Sequence, residues 1–190
     1  MLKSSTSPKI KLEQYTTPPK VASELLFLAG FINDDIHGKR ILDLGSGNGC
    51  LAIGAKLMGA KEVIGVEIDP DNVKLAKENV AKIGVKEITW INAPIEAILP
   101  RFDTVIMNPP FGTRNEHADR DFLEKAMKVS DVVYSIHKKS TRQYLIKYVE
   151  SRHREVASIL QMKLEISHTY EFHTKWKEII EVDLFRITKP

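Results

Sequence analysis

Arg40-Ile-Leu-Asp-Leu-Gly-Ser-Gly-Asn-Gly-Cys50 decides the fold class of this 190-residue chain. A short apolar run, a turn with glycine at 45, 47 and 49, and a helical segment starting at Cys50 read as strand, tight turn and helix. The pattern continues outward. Glu62–Glu67 reads as a strand, Pro70–Ile83 as a helix, Glu87–Asn92 and Phe102–Met107 as strands, and Asp131–Ile136 as a fifth strand. Short continuous apolar strands alternating with helices predict a parallel sheet covered on both faces, an α/β doubly wound fold. Beyond a helix over Ser140–Ser151, Glu155–Ile166 and Ile179–Ile187 read as two long strands. The loop between them, Ser167–Glu178, shows no helical repeat, so an antiparallel hairpin is expected. Upstream, Val21, Leu25, Leu28 and Ala29 recur at helical spacing behind Pro18-Pro19, which predicts a helix over Pro19–Phe31. Residues 1–9, rich in Ser, Thr and Lys, read as a flexible tail, and the rest as one domain.

With 43% hydrophobic and 28% charged residues, the composition is that of a soluble globular protein, and no apolar run has the length of a membrane span. The N-terminus lacks the apolar segment and cleavage site of a secretory signal, so a cytoplasmic location is expected. Cys50 is the only cysteine, which excludes an intrachain disulfide and a cysteine-based metal site. A net charge of +3 does not by itself point to nucleic acid, but Lys138, Lys139, Arg142, Lys147, Arg152 and Arg154 cluster with one acid, Glu150. That stretch reads either as a phosphate-contacting face or as a solvated helix surface.

The glycine turn narrows the ligand. A dinucleotide pattern begun at Gly45 needs Gly or Ala at position 50, where Cys50 stands, and a P-loop Gly-Lys-Ser/Thr ending is absent. Asp43 would repel a pyrophosphate but suits a ligand carrying an ammonium group, such as S-adenosylmethionine. Glu67, ending the second strand, is placed to accept both ribose hydroxyls. Asp69, directly before Pro70, reads better as a helix cap. Asn92 and Ala93 are expected beside the adenine of the cofactor. Cys50 reads as a small space-filling residue at a helix start rather than a reactive thiol.

Asn108-Pro109-Pro110-Phe111 directly follows the fourth strand, at the carboxyl edge of the sheet beside the glycine turn. A planar amine is a poor nucleophile because its lone pair is delocalised. The Asn108 side-chain oxygen and the Pro109 carbonyl can each accept one of its hydrogens and aim the nitrogen at a methyl donor. The prolines fix the backbone and Phe111 offers a ring for stacking. A Pro-Pro turn that merely ends a strand is the competing structural reading.

Together these motifs resemble the Asn-Pro-Pro-Phe adenine-N6 methyltransferases, within the seven-stranded class I architecture, and most closely the family acting on an adenosine of small-subunit ribosomal RNA. The resemblance is carried by Leu12-Glu-Gln-Tyr-Thr-Thr17, Asp43–Gly49, Phe102–Thr113, Tyr134-Ser-Ile-His-Lys138, Phe172-His173 and Glu181-Val-Asp-Leu184. It implies that Gln14, Tyr15 and Thr16 line the cofactor pocket, that Asn108 to Phe111 carry the chemistry, and that Phe172 and His173 lie near the substrate entrance with Lys175, Trp176 and Lys177. It also implies a small zinc-binding activator protein docked on a sheet edge. Strand three would be such an edge, with Trp90 either exposed as its docking hook or buried beneath a helix. His168, Glu171 and His173 match no familiar metal-ligand spacing, and no metal is assigned to them. Methylation of a protein glutamine amide or of DNA adenine, and a non-catalytic RNA-binding scaffold, are the competing functions.

Overall fold

The computed structural model of the chain describes residues 2–4, 9, 16–99, 101–111, 118–167 and 177–190. Helix α1 (Pro19–Phe27) starts at a proline whose fixed φ suits a first helical turn, and it buries Val21, Ala22 and Leu25. It then widens into a π-helical segment, Leu28–Ile32, closed where Asn33 Nδ2 donates to the Leu28 carbonyl. The helix predicted over Pro19–Phe31 is thus present, with wider winding at its end.

The chain continues through β1 (Arg40–Leu44), α2 (Cys50–Leu57), β2 (Glu62–Glu67), α3 (Pro70–Ile83), β3 (Ile88–Asn92), β4 (Phe102–Met107), α4 (Ala118–Val129), β5 (Ser130–Lys138), α5 (Arg142–Ser151), β6 (Glu155–Ser167) and β7 (Lys177–Thr188). These strands form one seven-stranded sheet in the order β3-β2-β1-β4-β5-β7-β6. The first five are parallel, and β7 runs antiparallel to both β5 and β6. The doubly wound sheet with a C-terminal hairpin is the architecture expected from the sequence.

Alternation along each strand divides the core between two faces. Ile41 of β1, Val63 of β2 and Ile106 of β4 pack with α1 and α2, while Leu42, Ile64 and Val105 pack with α4 and α5. Burying each such large aliphatic side chain contributes about 1.5–3 kcal/mol. Strand order reverses at β1, which has β2 on one side and β4 on the other. The chain therefore leaves the carboxyl ends of β1 and β4 in opposite directions and opens a crevice between them.

Several boundaries differ from the sequence expectation. Strand β3 begins at Ile88 because Glu87 takes a left-handed φ of 62°. Strand β5 extends two residues past Ile136, and a 3-10 turn over Lys139–Thr141 precedes α5. Helix α4 was not anticipated. Its buried Leu123, Ala126 and Met127 sit at helical spacing among six charged residues from Asp119 to Lys128, which mask the apolar stripe.

Strand β3 is an edge of the sheet, as expected. Of the two readings of Trp90, the inward one holds. Its indole packs on the core, and a Cβ added at Gly65 or Gly49 would come within 2.3 or 2.6 Å of the ring. No helix among the described residues is long and apolar enough to cross a membrane.

Candidate functional site

The turn after β1 is held by the end of β2. The Gly45 and Ser46 amides both donate to the Val66 carbonyl at 2.9 Å, and Gly49 N donates to the Ser46 carbonyl. Gly49 must be glycine twice over, for its φ of 82° and for the Trp90 ring packed against its Cα. At Gly47, by contrast, a Cβ would meet nothing within 4 Å, so the turn is open on the side where a ligand would lie.

Glu67, which closes β2, braces this turn. It is only 7% exposed; Oε2 accepts from Gly47 N and Oε1 from Asp69 N, each at 2.9 Å. Desolvation raises its carboxyl above the usual range, opposed by those amide donors. A carboxylate has about four acceptor directions, so two backbone donors leave acceptor capacity for a ribose diol. Asp69 caps α3 by accepting from Asp71 N. Between these two buried acids Ile68 is exposed, an apolar surface suited to a flat ring. No role for Ile68 was drawn from the sequence, although an apolar residue between two acids at a strand end could have prompted one.

Asp43 lies on β1 itself, 1% exposed, rather than within the turn. Its Oδ2 accepts from Ala52 N in the first turn of α2 at 2.9 Å. An anion at a helix N-terminus is favourable, but burial dominates and pushes the carboxyl up to about 7. Burial likewise pushes the Cys50 thiol up to about 12, which makes it a poor nucleophile.

Asn92 and Ala93 meet the end of β2. Asn92 Nδ2 donates to the Glu67 and Ile68 carbonyls, and Ala93 N to Glu67 O. These bonds hold the edge of the cleft in place.

On the other side of the crevice, Asn108 follows β4 directly, and its Nδ2 donates to the Thr17 hydroxyl at 2.9 Å. That bond turns the amide so that Oδ1, its acceptor end, points away from Thr17. Pro109 is buried, while Pro110 and Phe111 are half-buried. The Phe111 ring packs against the core on the α1 and α2 side, and Lys138 Nζ lies over it, 5.7 Å from the centroid. Thr17, passed over in the sequence in favour of its neighbours, is the residue that holds this amide. Thr16 is exposed, and Gln14, Tyr15, Phe172 and His173 lie outside the described residues. The signal for Thr17 was its place immediately before Pro18-Pro19, where the chain is stiffened.

Beneath the loop, His137 is buried on β5, with Nε2 2.6 Å from the Ser135 hydroxyl and Nδ1 3.8 Å from Asp119 of α4. The His137 ring holds the Asp119 carboxyl below its usual range.

The basic stretch is less available than its composition suggested. Arg142 is paired through two nitrogens with fully buried Asp183, and Lys139 with Glu181 at 3.1 Å. Arg154 donates to the carbonyls of Met127, Ser130 and Asp131, and Arg152 pairs with Glu124 and Tyr148. Arg142 and Arg154 hold the fold together, a use that neither reading of the stretch, as a phosphate-contacting face or as a solvated helix surface, included.

Residues 21–132 match the family model of the methyltransferase small domain. The rRNA N6-adenosine methyltransferase of Drosophila melanogaster is 37% identical over 94% of this chain and 87% of its own length. That of Danio rerio is also 37% identical, over 95% and 90%. Among solved structures, a candidate RNA methyltransferase from Pyrococcus horikoshii superposes with a TM-score of 0.91 at 45% identity, covering 99% of this chain and 92% of that one.

Proposed function

Because this chain belongs to the methyltransferase small domain family, and within it to the family of the animal rRNA N6-adenosine methyltransferases, we propose that it methylates N6 of an adenosine in small-subunit ribosomal RNA. The observation that carries this reading is the setting of Asn108: at the carboxyl end of β4, across the crevice from the glycine turn, with its amide oriented by Thr17.

The residues at hand fit S-adenosylmethionine. The open side of Gly47 gives it room, Glu67 has acceptor capacity for its ribose, Ile68 offers an apolar surface for its adenine, and Asp43 contributes negative potential beneath a cationic ligand once its raised carboxyl is ionised. Bound there, it supplies an electrophilic methyl on a sulfonium centre. Asn108 Oδ1 and the Pro109 carbonyl accept the two hydrogens of the target amine. This draws its lone pair out of conjugation and fixes the nitrogen's direction. The two prolines keep these acceptors from drifting. No general base is required, because the amine proton becomes acidic only after transfer.

Phe111 favours a nucleobase over a glutamine side chain, since its apolar ring offers stacking area and no hydrogen bond. Of the proposed RNA contacts, Lys138 stands beside that ring, while Lys139 and Arg142 stay in the proposal as flanking cations whose charge is shared with Glu181 and Asp183. Phe172 and His173 remain part of the proposal as substrate-entrance residues. So do Gln14, Tyr15 and Thr16 as cofactor-pocket residues. A zinc-binding activator subunit adding a strand at the β3 edge, and a cytoplasmic location with the ribosomal RNA, complete it. With Trp90 turned inward, backbone groups of β3 would make that contact.

The test is incubation with labelled methyl donor and separated small- and large-subunit ribosomal RNA, digestion to nucleosides and product identification, with Asn108→Ala alongside. N6-methyladenosine from the small-subunit fraction, absent with the variant, is expected. Product undiminished by the substitution, or found in the large-subunit RNA, contradicts the reading.

A further inference from the structure

We propose that Lys138 occupies the face of Phe111 on which the target base stacks, and that on substrate arrival its ammonium leaves the ring and pairs with a phosphate next to that base. The inference rests on the function proposed above. Phe111 packs partly against the apolar core, and Lys138 Nζ sits over the ring at 5.7 Å. A base can use that surface only by taking the lysine's place. A cation on a half-exposed ring is held more weakly than a stacked base, so the exchange favours the base.

The displaced ammonium has a defined place to go. Lys138 is the last residue of β5, directly after buried His137, so its Cα is fixed while its four-carbon stem is free to swing. Its neighbours cannot substitute for it: Lys139 is paired with Glu181 and Arg142 with Asp183. Among the described residues no carboxylate pairs with Lys138, so this cation beside Phe111 is not neutralised by an acid. A base stacked on Phe111 carries its phosphates within reach of that side chain, and pairing with one releases a counterion. A peptide glutamine brings no such charge. Lys138 would therefore select nucleic acid over protein at the step where the base is seated.

The test measures binding rather than methylation, so it stands apart from the function assigned above. A short single-stranded RNA carrying 2-aminopurine in place of its one adenosine is titrated into the full chain at several salt concentrations. Aminopurine quenching is read for wild type, Lys138→Ala, Lys138→Met and Lys138→Arg. Methionine keeps an apolar cover on the ring without the charge; arginine keeps the charge. Wild type and Lys138→Arg should share the same slope of log Kd against log salt, and the alanine and methionine variants should each lose about one unit of it. Quenching should persist in all four, with S-adenosylmethionine affinity and melting temperature unchanged. Equal slopes throughout overturn the proposal, as does methionine restoring what alanine loses, which would make Lys138 a prop for Phe111. Failure of the wild type to make N6-methyladenosine would instead overturn the assigned function and leave the slope comparison intact.

Discussion

Asn108 Nδ2 donates to the Thr17 hydroxyl at 2.9 Å, joining residues 91 apart in sequence and tying the entry to α1 to the catalytic loop. This bond sets which end of the amide faces the cleft. Thr17→Val keeps the shape and removes the acceptor, so the amide can rotate. Loss of about one hydrogen bond, about 1 kcal/mol, should lower kcat about five- to tenfold. Thr17→Ser should restore the rate, and S-adenosylmethionine affinity by calorimetry should barely change. A serine variant as slow as valine would show that Thr17 acts through its methyl group instead.

Glu67 accepts two backbone amides at once, Gly47 N and Asp69 N. In Glu67→Gln one carboxylate oxygen becomes an amide NH2 group, and one of those donors then faces another donor. A buried donor without its acceptor costs about 1–3 kcal/mol. The expected outcome is a lower melting temperature together with S-adenosylmethionine affinity at least tenfold weaker, because the brace of the glycine turn and the ribose acceptor are lost together. Weakened affinity with an unchanged melting temperature would leave Glu67 a ligand contact only.

Legibility in the sequence followed the range of the interactions. The glycine turn, Glu67 and the Asn108–Phe111 loop were readable because each lies at a strand end, where local order alone determines position. Helix α3 was readable at its start from Asp69-Pro70, and the structure ends it at Gly84 in a left-handed cap. What escaped depended on distant partners. Arg142 looked like a free cation until Asp183, 41 residues on, took its guanidinium. Trp90 could face either way until glycine at 49 and 65 made room for its ring. Thr17 gained its role only through Asn108, and α4 hid its apolar stripe among charges.

Asp35 ties three elements together away from the cleft. Its carboxylate accepts from the Tyr134 hydroxyl at 2.6 Å and from Arg186 Nε at 2.9 Å, and its carbonyl accepts from Thr104 Oγ1 at 2.7 Å. Asp35→Ala leaves a fully buried tyrosine hydroxyl without its carboxylate acceptor and a largely buried guanidinium with only that hydroxyl to donate to. A loss of about 3 kcal/mol in denaturant unfolding is expected. S-adenosylmethionine affinity measured well below the transition should match wild type, and a large change in it would mean that this network reaches the cleft.

Asp43 makes stability depend on pH in a direction opposite to that of a salt-bridged acid. Desolvation raises its carboxyl from 3.8 to about 7, with the Ala52 amide opposing and the Glu67 charge adding to the rise. Between those values the folded chain keeps a proton that the unfolded chain has released. The group's stabilising contribution is therefore fully present below about pH 4 and lost as pH rises through about 7. Three units set its size at no more than about 4 kcal/mol. Asp43→Asn stays neutral at every pH, and its oxygen can still accept from Ala52 N. Calorimetry should find the variant's stability relative to wild type rising by about 2–3 kcal/mol between about pH 5 and about pH 8, because over that range the wild type passes from keeping its proton to holding a buried charge. The same gap at both pH values would show that the carboxyl is ionised in the fold throughout, its charge held by the α2 amides.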